Sequence, residues 1–222
     1  MTLHRDICWR RKWPTGLAVL SAVLLLTACD RHTGSSAPGP PGKWVTLKGC
    51  RLQSNEFNDG DSFHVLHDGR EFIFRLYFVD APETDGSVPE RTREQCRYFG
   101  VSAEQLRTSG KEAKALTTEL LKKPFTVTTR SQDALGRSKL PRYYANVTVG
   151  GEDLAETLVS RGLARAKGTL ANVPVGSSAK ERMKHLRNLE VEAKAKQRGI
   201  WAHSTKEEKR SWLRKVRDWL GW

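Results

Sequence analysis

The sequence predicts an α+β domain built on a small β-barrel. Three observations predict it: about five strand-like segments, three amphipathic helical segments, and no repeated strand–helix–strand unit of the kind that builds a parallel sheet. The 222 residues suffice for one medium domain with appendages. A composition of 38% hydrophobic and 28% charged residues excludes a wholly disordered chain. Lys and Arg number 38 against 25 Asp and Glu, a formal net charge of +13, and such a field favours polyanions: nucleic acid or an anionic membrane surface.

The first 28 residues are expected to be a leader and not part of the fold. Arg5, Arg10, Arg11 and Lys12 precede an apolar run over residues 16–28, too short for a membrane span of about 20 residues. Leu26-Thr27-Ala28-Cys29 resembles the bacterial lipobox, in which the cysteine is lipidated and becomes the first mature residue. Residues 1–28 are therefore expected to be a lipoprotein signal peptide and Cys29 a lipidation site. The mature chain keeps 34 basic and 24 acidic residues, still +10. Residues 29–42 are rich in Gly and Pro with almost nothing apolar, as in a flexible tether.

From Lys43 the pattern is strand-rich and then helical. Trp44 to Cys50 and Ser62 to Leu66 alternate as strands. His67-Asp68-Gly69-Arg70 supplies a hairpin turn, and Glu71 to Val79 continues as a long apolar strand. Ser109 with Glu112 makes a capping box for a helix that ends before Pro124. Phe125 to Thr129 and Arg142 to Val149 are two further strands, followed by a helix over Leu154 to Ser160. Ser178 with Glu181 opens the last helix of the domain, with Gly199 expected as its C′ residue.

Carboxylates gather at strand ends between Asp59 and Glu83. Asp59-Gly60-Asp61 stands at a strand entry and Asp80-Ala81-Pro82-Glu83 follows a strand end, so three or four carboxylates can converge where two strands meet. Hard oxygen ligands in that arrangement suit Ca²⁺, although singly these stretches are ordinary turn and loop chemistry. Arg75 stands inside an apolar strand. A guanidinium there is costly unless it meets a carboxylate or phosphate, or faces outward to water.

The run NDGDSFHVLHDGREFIFRLYFVDAPET, the later DALGR, the stretch ETLVSRGLARA and the ending KQRGIW together resemble the staphylococcal nuclease (thermonuclease) family over residues 43–202. The resemblance implies a five-stranded OB-type β-barrel with three helices and a Ca²⁺-dependent phosphodiesterase acting on DNA and RNA. It implies that Asp61, Asp80 and the Ala81 carbonyl hold calcium, that Glu83 is the general base, and that Arg75 and Arg137 grip the phosphate. Ala81 stands where the family has threonine and Leu135 where it has tyrosine. The stretch Lys167 to Ser178 lacks the family's nucleotide-packing tyrosines, and residues 84–100 are built differently.

Nucleic acid is thus the expected substrate of a monomeric nuclease, with a non-catalytic nucleic-acid-binding module as the alternative. A basic membrane-associated structural protein is a third reading that leaves the carboxylates unexplained. Cys50 and Cys96 are the cysteines of an exported domain, so they form either a disulfide or two buried thiols. His64 and His67, at i and i+3 on a strand, face opposite ways and do not suggest zinc. Asn146-Val147-Thr148 in a strand of a bacterial lipoprotein is a chance sequon. Over residues 203–222, Trp212, Leu213, Val216, Trp219 and Leu220 form one stripe of a basic amphipathic helix, which either lies in a membrane interface or packs on the domain. Asp30 after Cys29 resembles the residue that retains lipoproteins in the inner membrane of some Gram-negative bacteria, which implies the periplasmic face of that membrane as the expected location.

Overall fold

Period-two alternation builds the barrel. Phe63 and Val65 in β2 (Ser62–His67), Phe72, Phe74 and Leu76 in β3 (Arg70–Leu76), and Tyr143, Ala145, Val147 and Val149 in β5 (Arg142–Val149) all turn inward into one core. In this computed structural model, which describes residues 37–136, 138–172, 174, 176–205, 214 and 217, β1 (Val45–Leu52) and β4 (Phe125–Asp133) complete the wall. Neighbours run β3-β2-β1-β4-β5, all antiparallel, and the parallel pairing of β3 with β5 closes the five strands into the expected OB-type barrel. A two-residue strand, β6 (Glu152–Asp153), pairs with the end of β5. Asp68 and Gly69 both take positive φ (47° and 71°) at the β2–β3 hairpin, which is why the turn needs an Asp-Gly pair.

Strand β3 stops at Leu76 and does not reach Val79 as expected. Phe78 has φ 68°, and the backbone leaves β5 for another partner: Phe78 N donates to Thr169 O (3.1 Å), and Asp80 and Arg165 exchange both N–H···O bonds (3.1 and 3.0 Å). This second pairing carries Asp80 off the sheet.

Among the described residues, four helices accompany the barrel instead of three. The additional one, α1 (Pro89–Phe99), lies in the stretch that departs from the family pattern; Pro89 opens it and Gly100, with φ 67°, ends it. Helix α2 (Ala103–Leu120) is capped seven residues upstream of the expected position. Its capping box is Ser102 with Gln105, and Ser109 lies buried inside the helix. Two boxes were available, and the upstream one extends the helix so that Leu106 joins a second cluster with Phe99, Val101, Ala193, Ile200 and Trp201. Helices α3 (Leu154–Ser160) and α4 (Ala179–Ala195) are as expected, α4 with its Ser178/Glu181 capping box. Gly199 is not the C′ residue of α4. Gln197 takes the left-handed conformation there (φ 50°), while Gly199 opens a 3₁₀ turn (Gly199–His203). A Cβ on Gly199 would fall 2.5 Å from Gly162 O.

The domain begins before Lys43. Residues 37–42, expected in the tether, dock on β4: Gly39 N donates to Ser131 Oγ (3.2 Å), Ser131 Oγ donates to Gly39 O (2.8 Å), and Gly42 N donates to Arg130 O (2.9 Å). Of the two alternatives for the cysteines, the disulfide is not formed. Cys50 and Cys96 are free thiols, Cys50 in the barrel core and Cys96 against the second cluster. Burial pushes the Cys50 thiol up to about 11, which disfavours the reactive thiolate form. Residues 1–28, expected to be a leader, Cys29, and almost all of the C-terminal segment lie outside the described residues. Among the described residues no helix is long and apolar enough to cross a membrane.

Candidate active site

The outer face of the β2–β3–β5 wall carries the chemistry. Ser62 pairs with Arg75, and Arg75 with Tyr144, so the strand that sends Phe74 and Leu76 into the core presents Arg75 outward. There its Nη2 donates to Asp61 Oδ2 and to Asp80 Oδ1, each at 3.0 Å, and its Nη1 to Ser62 Oγ at 3.2 Å. Arg75 is therefore paired with carboxylates, the first of the alternatives its sequence position allows. Burial alone would lower its pKa, but Asp61 and Asp80 outweigh that and hold the guanidinium charged.

Asp61 is 1% exposed. Burial raises its carboxyl, yet Arg75 and the Ala81 N–H, which donates to Oδ2 at 2.9 Å, leave it below the usual carboxylate range. Asp59 closes the turn ahead of it by accepting from Asp61 N (2.9 Å) and Ser62 N (2.6 Å); burial, then the Asp61 charge, pushes Asp59 up to about 8. Glu83 is half-buried. Burial raises its carboxyl above the ordinary value, helped by Asp61 and Asp80 and opposed by Arg91. The four acidic residues thus do converge.

Helix α1 supplies groups that sequence reasoning missed. Arg91 reaches Asp80 Oδ1 through Nη2 and Glu83 Oε1 through Nε (2.5 Å). Gln95 donates to Asp80 Oδ2 (3.1 Å) and to Ala81 O (2.9 Å), and accepts from Glu83 N (2.9 Å). Arg165, 1% exposed, binds Asp80 Oδ2 through Nε (2.9 Å) and forks onto Glu94 (2.8 and 2.5 Å), which Lys167 also reaches at 3.0 Å. Arg165 is in the matched stretch RGLARA, but nothing in a linear reading links it to Asp80, 85 positions away.

Two small residues let the acidic loops approach α2. A Cβ on Gly110 would meet Glu83 O at 2.5 Å and Pro82 O at 2.7 Å, both backbone atoms that cannot swing aside. Gly60 lies against Ala113 and Ala81, and its carbonyl accepts from Thr117 Oγ1 at 2.8 Å. Gly110→Ala is therefore expected to cost about 1 to 3 kcal/mol by overpacking and to lower activity by displacing Glu83, measured by thermal melting and by turnover. An unchanged melting temperature would refute the close approach.

A cleft of about 470 Å³ opens beside these groups, lined by Arg75, Asp80, Arg91, Arg142, Arg165 and Lys167 among others. Arg137, expected on the phosphate, lies outside the described residues. The H-x-x-H histidines do not converge: His64 bonds Glu71 (2.6 Å) and His67 contacts Asp68.

Among the described residues no group of three or more acidic, His or Cys side chains is arranged as a ready-made metal site. The donor chemistry nevertheless fits a divalent cation. One nitrogen of Arg75 already stands 3.0 Å from an oxygen of Asp61 and from an oxygen of Asp80, so a positive centre is accommodated between the two carboxylates.

Among curated proteins none matches the chain. Residues 73–203 match the family described as staphylococcal nuclease homologue, a span that runs from β3 through Asp80, Glu83 and Arg165 to the last 3₁₀ turn. With more than half of its length matched and the barrel closed as that fold requires, the chain belongs to the staphylococcal nuclease homologue family.

Proposed function

We propose that the chain is a Ca²⁺-dependent nuclease that hydrolyses phosphodiester bonds of DNA, RNA or both. The supporting observation is the joining of Asp61 and Asp80 through one Arg75 nitrogen, at 3.0 Å each, with Arg91 tying Glu83 to Asp80 and with Arg75, Asp80 and Arg91 lining an arginine-rich cleft. Asp61, Asp80 and the Ala81 carbonyl would hold the calcium, which when bound supplies positive charge to the phosphoryl oxygens. Arg75 and Arg137 donate to the phosphate and meet the charge that grows there. Glu83 accepts the proton of the attacking water; its raised pKa brings it closer to working pH than an ordinary carboxylate. Gln95 fixes the Ala81 carbonyl and the Glu83 backbone relative to one another.

Digestion of plasmid DNA and of RNA with Ca²⁺, with chelator, and with Ca²⁺ restored tests this. Cleavage that disappears with chelator and returns with calcium is expected. Binding without cleavage under all three conditions would leave a nucleic-acid-binding module instead.

We also propose that the protein is an exported lipoprotein held at Cys29, on the sequence of residues 5–30. Cys29→Ser should move it from the membrane to the soluble fraction, and unchanged fractionation would overturn the anchor.

A further inference from the structure

We infer that Arg142 is a second phosphate-binding residue of this cleft, receiving the phosphate of the polynucleotide next to the one held by Arg75. The inference rests on the nucleic-acid reading above and adds a residue that the matched motifs do not contain.

The position comes from the sheet. Ile73 pairs with Arg142 and Arg75 with Tyr144 across the parallel β3–β5 pair, so Arg142 shares the outer face with Arg75 and Tyr144. Strands 4.8 Å apart, offset by two residues of 3.3 Å, put the two arginine Cα atoms roughly 8 Å apart. Both side chains line the same cleft.

The charge environment separates Arg142 from its neighbours. Arg75 is neutralised by Asp61 and Asp80, Arg91 by Asp80 and Glu83, and Arg165 by Asp80 and Glu94. Among the described residues no carboxylate pairs with Arg142. Its Nη2 donates only to backbone carbonyls, Ala134 O at 3.0 Å and Leu135 O at 3.3 Å, and its buried Nε has no partner. Burial and the nearby Arg75 lower its pKa, as happens to a cation that lacks an anion.

The backbone bonds also hold the guanidinium in place before any ligand arrives. Ala134 N donates to Arg142 O (2.8 Å) and Leu135 N to Asp133 Oδ1 (2.8 Å), which keeps Leu135 at φ 52°. A preorganised, half-buried cation beside a phosphate-binding arginine suits one anionic oxygen of a chain whose charges recur at regular spacing.

The test measures binding of a labelled single-stranded DNA oligonucleotide in chelator, from low to high KCl, for the parent, Arg142→Gln and Arg142→Lys. Melting curves establish that each variant is folded. Arg142→Gln should weaken binding about tenfold and make the slope of log K against log[KCl] shallower by about 0.7, the loss of one phosphate contact. Arg142→Lys should keep the slope. In turnover, Arg142→Gln should raise KM while kcat stays within about threefold. An unchanged salt slope with a fall in kcat alone would overturn the assignment and make Arg142 a positioning residue for the loop before Arg137. A parent that does not bind the oligonucleotide at all would overturn the nucleic-acid reading itself, a result distinct from a parent that binds and a variant that binds equally.

Discussion

Glu83→Gln is expected to lower turnover of DNA about a hundredfold or more, with oligonucleotide affinity and melting temperature nearly unchanged, because only the proton acceptor is lost. The amide keeps the size of the side chain and its place beside Arg91, so a fall in affinity would indicate a binding role instead. The pH dependence supplies an independent check. Glu83 must be ionised to act, and its carboxyl is raised above the ordinary 4.5 by burial. The parent should therefore lose kcat/KM as pH falls, at a pH above that of an unperturbed carboxylate, and this acid limb should vanish from the residual activity of the variant. Equal cleavage by parent and variant in Ca²⁺ would exclude Glu83 as the base.

Arg165→Met is expected to be the most destabilising single change in the site. Methionine fills much of the volume but leaves the 7% exposed Asp80 without its Nε and Nη2 partners, at 2.9 and 2.7 Å. Removing one member of a buried pair costs about 3 to 5 kcal/mol, or roughly 10 °C in a domain of this size. Acid titration adds a signature. The Arg165 hydrogen bond, with help from Lys167, holds Glu94 down to about 2 from 4.5. A depressed carboxyl contributes stability that is complete above its unfolded pKa and is lost as pH falls through the folded one. That loss, between about pH 4.5 and 2, should shrink in Arg165→Met. Because Glu94 is 38% exposed the contribution is screened. A melting temperature within about 2 °C of the parent would show that the network is not structural.

The strands were legible because each carries its own signal. Arg142 to Val149 has its expected bounds, and the Asp68-Gly69 turn sets the β2–β3 register, so the outward place of Arg75 follows from the same alternation that buries Phe74 and Leu76. The convergence of Asp59, Asp61, Asp80 and Glu83 followed from their places at strand ends. The start of α2 was misplaced because Ser102/Gln105 and Ser109/Glu112 are both sound local boxes, and packing of Leu106 on Phe99 and Trp201 is not a local property. Helix α1 was missed because its mean hydropathy is low and it buries only Thr92, Gln95 and Phe99.

By itself, the sequence determined the barrel strands, the N-terminal capping box of α4, the acidic cluster and its arginine, since propensity, alternation and turn chemistry act over a few residues. Tertiary structure alone decided which cation meets which anion. Arg91, Gln95 and Arg165 arrive at Asp80 from α1 and from the stretch after α3, the thiols of Cys50 and Cys96 settle in separate clusters, and Arg142 meets no carboxylate among the described residues. These pairings are chosen by distance in the folded chain and by the cost of burying an unpaired charge, and neither quantity exists until the barrel has closed.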